Sequence, residues 1–345
     1  MPSRLYHSLA ALIALAGPAT ASAATFCADT AEEIAAAMDA AKENGEDDEI
    51  RIVAGNYLLT ETLRLGNVET ESFALAFSGR WNADCSEPSA GGASTLNGDG
   101  ERQLLALSLD AQTDISIRDL AFVNGFAAFN ASGGVLDLVG GRDVAIERVQ
   151  VYGNLLENGE APLHVDGGGP GSVLQLRNNL VFDNTAEAMT GVHIESFQGA
   201  AHITGNTITA NESAIPCPCS GLNYAGTSAY TVSNNLVWGN EGGDVFINPL
   251  NAVHLHNDIG QLTTGSNPPG PGSSGDISIF PLFAGDGVHL LPASQLVNAG
   301  VAETPGGIGE LDGARGDRLV GASVDIGALE TDVLFRDGFG GVPAP

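Results

Sequence analysis

The chain of 345 residues carries 42 acidic against 13 basic side chains, a formal charge of −29, and 46 glycines. Such a surface repels nucleic acid and anionic membranes, whose binding rests on basic side chains, and a polyanionic glycan would need a bridging cation. Glycine well above the usual ~7% favours a turn-rich all-β protein.

Residues 1–23 read as a secretory signal peptide. Met1-Pro-Ser-Arg4 leads into the apolar run Leu9 to Ala16, and Ala21-Ser22-Ala23 offers an A-x-A site with cleavage before Ala24. The run is far shorter than the ~20 residues of a membrane span. No later segment is long or apolar enough, so the expectation is an exported, monomeric protein without a transmembrane segment, secreted or at the cell surface. Four cysteines in such a chain point to disulfides. Cys27 with Cys85 is the preferred pair; Cys217-Pro-Cys219 is read as a loop disulfide ahead of a soft-metal site, with cross-pairing left open.

Residues 24–99 form an N-terminal cap and the first strands. Thr30-Ala-Glu-Glu33 is a capping box, Ile34, Met38 and Ala41 share one helical face, and Gly45 stops the helix. Ile50 to Tyr57 then alternates as a strand. The short helix is expected to fold over the open first rung, whose bare strand edges would otherwise template aggregation.

Residues 100–258 carry a repeat of about 29 residues. Its apolar column Ile117, Ile146, Leu176, Ile203, Val232 steps by 29, 30, 27 and 29 residues. Polar turns recur in register at Asn124-Gly125, Gly153-Asn154, Asp183-Asn184, Ala210-Asn211 and Gly239-Asn240, and Asn179, Asn206 and Asn235 form a second column. Stacked amides at such positions can hydrogen-bond from rung to rung. A sandwich would show hairpin strands every 8 to 12 residues, so the pattern predicts an all-β parallel coil of three short sheets. Residues 259–275, with Asn267-Pro-Pro-Gly-Pro-Gly-Ser-Ser-Gly275, read as a flexible linker. A C-terminal module over 276–330 and a short tail over 331–345 follow.

The 29-residue N-N-x-V/I pattern resembles the right-handed parallel β-helix of the pectate-lyase-like superfamily. Phe280-Pro-Leu-Phe283, Val288 to Gly300, Asp312-Gly-Ala-Arg315 and Val324 to Glu330 resemble the end module of bacterial choice-of-anchor Q β-helix proteins, as do Ile50 to Tyr57 and Gly79 to Cys85 at the front. The resemblance implies a right-handed β-helix and secretion or surface display, usually with no assigned activity. Asp332 to Gly341 is similar to a short exported-protein tail, with no hydrophobic anchor after it.

Chemistry is sought on a second strand of each rung, seen in Leu136, Val165 and Ile194. With these inward, alternation sends Val135, His164 and His193 outward along one column and Asp137, Asp166 and Glu195 along another, with Asn223 in the fourth rung. Three carboxylates at the ~4.8 Å rung spacing would favour a shared Ca²⁺. His164 and His193, with Asp166, would be the catalytic groups, or the two histidines would ligate a softer ion. Polyuronate lyases of this fold pair calcium carboxylates with a basic proton abstractor, and these columns hold no Arg or Lys. His254 and His256 read as exposed residues of one strand, and Trp81, Trp238 and Tyr152 as structural rather than sugar-stacking rings.

These readings lead to a secreted, non-enzymatic β-helix presenting an acidic face to a polysaccharide, matrix or cell-surface glycan. The alternative is a Ca²⁺-dependent polysaccharide lyase or glycoside hydrolase acting at Asp137, Asp166 and Glu195 with the two histidines.

Overall fold

The computed structural model describes residues 23–42, 44–66, 73–89, 91–129, 131–157, 160–213 and 220–331. Residues 1–22 of the expected leader, Cys217 and Cys219, and the tail from 332 lie outside the described residues. Among those described, the strands wind into a parallel β-solenoid with one helix. Sheets of nine, eight and seven strands form its long faces, and a four-stranded ribbon fills the corner between the last two. Pairing is parallel in all four. The coil is compatible with the expected right-handed winding, the hand of nearly all parallel crossovers.

The apolar column read from the repeat stands in register through the nine-stranded sheet, each member opposite the next. All five side chains are at most 2% exposed, and each contributes roughly 1.5–3 kcal/mol by leaving water. The helix Ala31–Ala41 closes the start of this interior. Thr30 Oγ1 accepts from Glu33 N (3.1 Å), while the Glu33 carboxylate reaches one residue further back, to Asp29 N (2.9 Å). Ile34, Ala37, Met38 and Ala41 enter the same core as Ile50 and Leu63. Cys27 and Cys85 are disulfide-bonded across 58 residues of chain, a loop whose closure removes roughly 4 kcal/mol of unfolded-state entropy.

Both corners of the eight-stranded sheet turn on a residue with positive φ, such as Asp119, Arg148, Asn178 and Asn234 at one and Asn124, Asp183 and Ala210 at the other. The residue after each turn is where the asparagines stack. Asn179 Nδ2 donates to Asn206 Oδ1, Asn206 to Asn235, and Asn235 to Asn257, each at 2.9 Å, and Asn257 ends the row on Asp276 Oδ1 at 2.9 Å. A second row runs Asn154, Asn184, Asn211, Asn240 at 2.8 to 2.9 Å and ends on Asp244 Oδ1 at 2.9 Å. Asn124 stands outside it: Gly125 holds the matching position and its N–H donates to Asn154 Oδ1 (2.7 Å). Within the two rows every Nδ2 thereby finds an acceptor, one rung on in all but the last step of the second row, where Asp244 follows Asn240 by four residues, as an apolar interior demands.

The stretch expected as a flexible linker is a last, irregular turn of the coil. Leu262 bridges to Val245 and Ser274 to Leu255, and Thr263, Asn267 and Gly270 N–H groups bond to Val245, Ile247 and Ala252 carbonyls. His254, expected exposed, is fully buried at the end of the apolar column, between Tyr224 Oη (2.5 Å) and Asp276 Oδ2 (2.9 Å).

The C-terminal module is a strap lying lengthwise along the coil, not a lid on its end. Asn234 Nδ2 donates to Val301 O, Arg177 to Gly306 O, Asn178 Nδ2 to Ile308 O and Leu311 O, and Arg80 to Ala314 O. The strap thus runs back over successive rungs toward the N-terminal end. Val288, Ala328 and Leu329 bury Leu180 and Phe182, and Leu290, Leu296 and Ile326 bury Leu236 beside Trp238, all from the outer face of the eight-stranded sheet. Arg318, fully buried, pairs with Glu330 and donates to Gly327 O (2.8 Å) to hold the returning segment. Among the described residues, the strap's hydrogen bonds, ion pairs and apolar contacts fall on the nine- and eight-stranded sheets and their shared corner, leaving the outer face of the seven-stranded sheet free of it.

Candidate functional site

On the seven-stranded sheet the inward columns are Leu136, Leu163, Val192, Leu222 and Leu138, Val165, Ile194, Tyr224, all buried. Alternation sends the residues between them outward, where Asp137 stands opposite His164, His164 opposite His193, and His193 opposite Asn223. This corrects the sequence register. Asp137 shares a rung position with the histidines, and Asp166 and Glu195 form the next outward column with Val139, so the three carboxylates do not line up for a shared Ca²⁺. Val135 lies fully buried at the strand's entry, outside the column. One basic residue does occupy it: Arg64 precedes Asp137 with Ala106 between, and Gln103 Oε1 accepts from its guanidinium (2.8 Å).

The column is recessed. Asp137, His164 and His193 are 8%, 5% and 5% exposed, because the loops entering the strands fold over them. Gly133 is pressed so close to Asp137 that a Cβ there would fall 2.1 Å from its carboxylate, and its φ of +74° suits glycine alone. Glu160, on the loop before His164, completes the cluster from above and is the residue sequence reasoning missed. Its only signal is a place four residues ahead of a histidine, and no other rung repeats it.

Asp137 Oδ1 accepts from His164 Nδ1 at 2.7 Å. That contact fixes the neutral tautomer, with the proton on Nδ1 and a lone pair on Nε2. The Nε2 atom is buried without a hydrogen-bond partner. It faces Glu195 Oε1 at 3.6 Å and Glu160 Oε2 at 3.8 Å, while His193 Nδ1 lies 3.3 Å from the same Glu160 oxygen. The two imidazole rings are tilted by 36° to one another, with centroids 5.4 Å apart. Burial disfavours the charged form of His164, but the bond and charge of Asp137, aided by Glu160 and Glu195, overcome it and raise its pKa. The hydrogen bond with His193 and the positive field of the histidines hold Glu160 below the usual range against its own desolvation. Asp166 sits apart, with a buried, unpartnered Oδ1.

Glu160, His164 and His193 can each offer one ligand atom with all three within 4.8 Å of one another, making them a possible metal-binding cluster. A concavity of about 400 Å³ lies elsewhere, on the outer face of the nine-stranded sheet over Ala76, Ser116, Ala145 and Gln175. Its lining is mostly apolar, although Asp114, Ser116, Asp143 and Gln175 belong to it, and it lacks the clustered imidazoles and carboxylate of the recess, which is the better candidate for chemistry. The aromatic residues are structural: Arg51 lies over Trp81, Tyr152 stacks on Phe182 at 4.9 Å, and Trp238 meets Phe280 edge-on.

The chain folds as a parallel β-solenoid. No family model matches it, and neither a curated protein nor a solved structure matches it either.

Proposed function

We propose that this is an exported β-solenoid of the kind resembling the choice-of-anchor Q proteins, which binds a glycan on the outer face of its seven-stranded sheet without being an enzyme. The observation that carries the reading is a polar recess, formed by Asp137, Glu160, His164, His193 and Glu195, on a face that the strap leaves free. Carboxylates and imidazoles there accept hydrogen bonds, and sugar hydroxyls donate them. With a chain charge of −29, like-charge repulsion disfavours polyuronates and favours a neutral or amino-sugar chain. Export is supported by the Cys27–Cys85 disulfide, a bond that persists in oxidising compartments. Among the described residues no helix is long and apolar enough to cross a membrane.

A panel of neutral, amino-sugar and acidic glycans, run with and without divalent cations, tests the proposal. Binding is expected to neutral or amino-sugar chains and to be lost in Glu160→Ala and Glu195→Ala. Preference for polyuronates, or binding that survives both substitutions, would overturn it. The Asp137–His164 pair favours a second reading, in which His164 moves a proton in a lyase or hydrolase. Unsaturated or reducing ends that appear with the wild-type chain and vanish with His164→Ala would establish that reading instead.

A further inference from the structure

We infer that Glu160, His164 and His193, with Glu195 beside His164, form a binding site for one divalent transition-metal ion of the zinc class, with Asp137 as the positioning residue behind it. The inference does not depend on the glycan reading.

The argument begins with the orientation of one ring. Asp137 Oδ1 accepts a hydrogen bond from His164 Nδ1–H at 2.7 Å, which turns the Nε2 lone pair toward two carboxylates at 3.6 and 3.8 Å. A lone pair facing anionic oxygens is repulsive, and these separations are too long for a hydrogen bond even when Nε2 carries a proton. His164 is 95% removed from solvent, and its Nε2 has no other partner. A buried polar atom so placed calls for a cation in the gap.

Distances and donor types identify its class. Ligand atoms about 2.0–2.2 Å from a tetrahedral ion stand roughly 3.3–3.6 Å from one another. The gaps from Glu160 Oε2 to His193 Nδ1 and from His164 Nε2 to Glu195 Oε1 are 3.3 and 3.6 Å, with Glu160 to His164 at 3.8 Å. The ligand atoms of Glu160, His164 and His193 all lie within 4.8 Å of one another, and movement of the loop carboxylate and a turn of the His193 ring would close the remaining gaps around an ion. Two imidazole nitrogens suit Zn²⁺, Co²⁺ or Ni²⁺, whereas Ca²⁺ takes six to eight oxygens that this recess does not gather. The sequence expectation of calcium is therefore replaced by a softer ion on a different residue set. The contact between Asp137 and His164 is the carboxylate–histidine arrangement that fixes the tautomer and basicity of a metal-bound imidazole. Glu160 and Glu195 side chains are 30% and 40% exposed, so the ion has a path in.

The test is metal titration of the full chain after chelator treatment, by calorimetry and by the visible absorption of Co²⁺, whose intense bands mark tetrahedral coordination. One zinc-class ion per chain is expected, undisturbed by excess Ca²⁺. Glu160→Gln and His193→Ala should each weaken binding at least tenfold, and Asp137→Asn by about 10- to 100-fold. Glu195→Gln, the most exposed of the set, keeps the test valid should a histidine variant fail to fold, and is also expected to weaken binding. Three results overturn the inference: no stoichiometric binding, preference for Ca²⁺, or binding unchanged in Glu160→Gln and Glu195→Gln. The last would locate the ion elsewhere, Cys217 and Cys219 included.

Discussion

The eight- and seven-stranded sheets are made by the same rungs, yet their outer faces have opposite fates. On the eight-stranded sheet Leu180, Phe182, Leu236 and Trp238 point outward, and the chain's own strap buries them. On the seven-stranded sheet Asp137, His164 and His193 point outward and converge under short loops, clear of the strap. Carboxylates record the difference. Under the strap, burial pushes Asp258 up to about 6, with the nearby Asp244 adding to it and the Ile279 N–H opposing. In the recess, histidines pull Glu160 down. A coil repeats its interior because each rung must stack on the next, but its outer positions answer only to what covers them, and so they diverge.

The contrast is broken or sharpened by four substitutions. Leu296→Ala, at a fully buried strap position, is expected to destabilise by about 2–5 kcal/mol in urea unfolding. A loss under about 1 kcal/mol would mean that the strap is not part of the cooperative fold. Asn206→Ala removes the acceptor of the Asn179 amide and the donor to Leu176 O and Asn235 Oδ1. Unpaired buried groups of this kind put the expected cost at about 2–4 kcal/mol, and full stability in Asn206→Asp, which keeps the acceptor but loses the donor, would contradict the donor role.

Asp258→Asn should stabilise. Asp258 is fully buried with Oδ2 unpartnered, and its folded pKa of about 6 exceeds the ordinary aspartate value of 3.8. Between those values the native state binds more proton than the unfolded chain, so this group's contribution to stability falls as pH rises toward 6. The variant is expected to exceed the parent by about 1–3 kcal/mol near pH 7, and the gap should close as pH falls to about 4. Melting curves at both pH values check it, and a gap that widens in acid would refute it. Glu195→Gln, half open to solvent on the other face, should shift stability by less than about 0.5 kcal/mol. A larger change would show that the recess is a structural device and not a ligand site.

Much of the fold was legible because stacking forces periodicity. Ile117 to Val232 and Asn179 to Asn235 announced their columns, and the capping box at Thr30 announced the helix. The candidate site was half legible, for a physical reason. The step from Asp137 to His164 is 27 residues, two short of the assumed 29. A one-residue slip would have turned Asp137 inward and been noticed, but a two-residue slip preserves the alternation of faces and leaves no trace in the apolar pattern. Glu160 was invisible because it sits on a loop that no other rung copies. The strap was missed because Val288, Leu296, Ile326 and Leu329 contact distant rungs without any period of their own, and His254 because its hydrogen-bond partners, Tyr224 and Asp276, lie 30 and 22 residues away.

The two asparagine rows have a grammar. Each amide donates a hydrogen bond to the next member of its row and accepts one from the rung before, so the row has a beginning and an end that cannot be exchanged. Both rows close on an aspartate, Asp276 and Asp244, a side chain that in its ionised form receives and passes nothing on. The aspartates act as full stops. A whole rung could be spliced in or removed ahead of them with the sentence still well formed, whereas an aspartate moved to mid-row would end it early, and the length of this molecule is thereby written in two side chains.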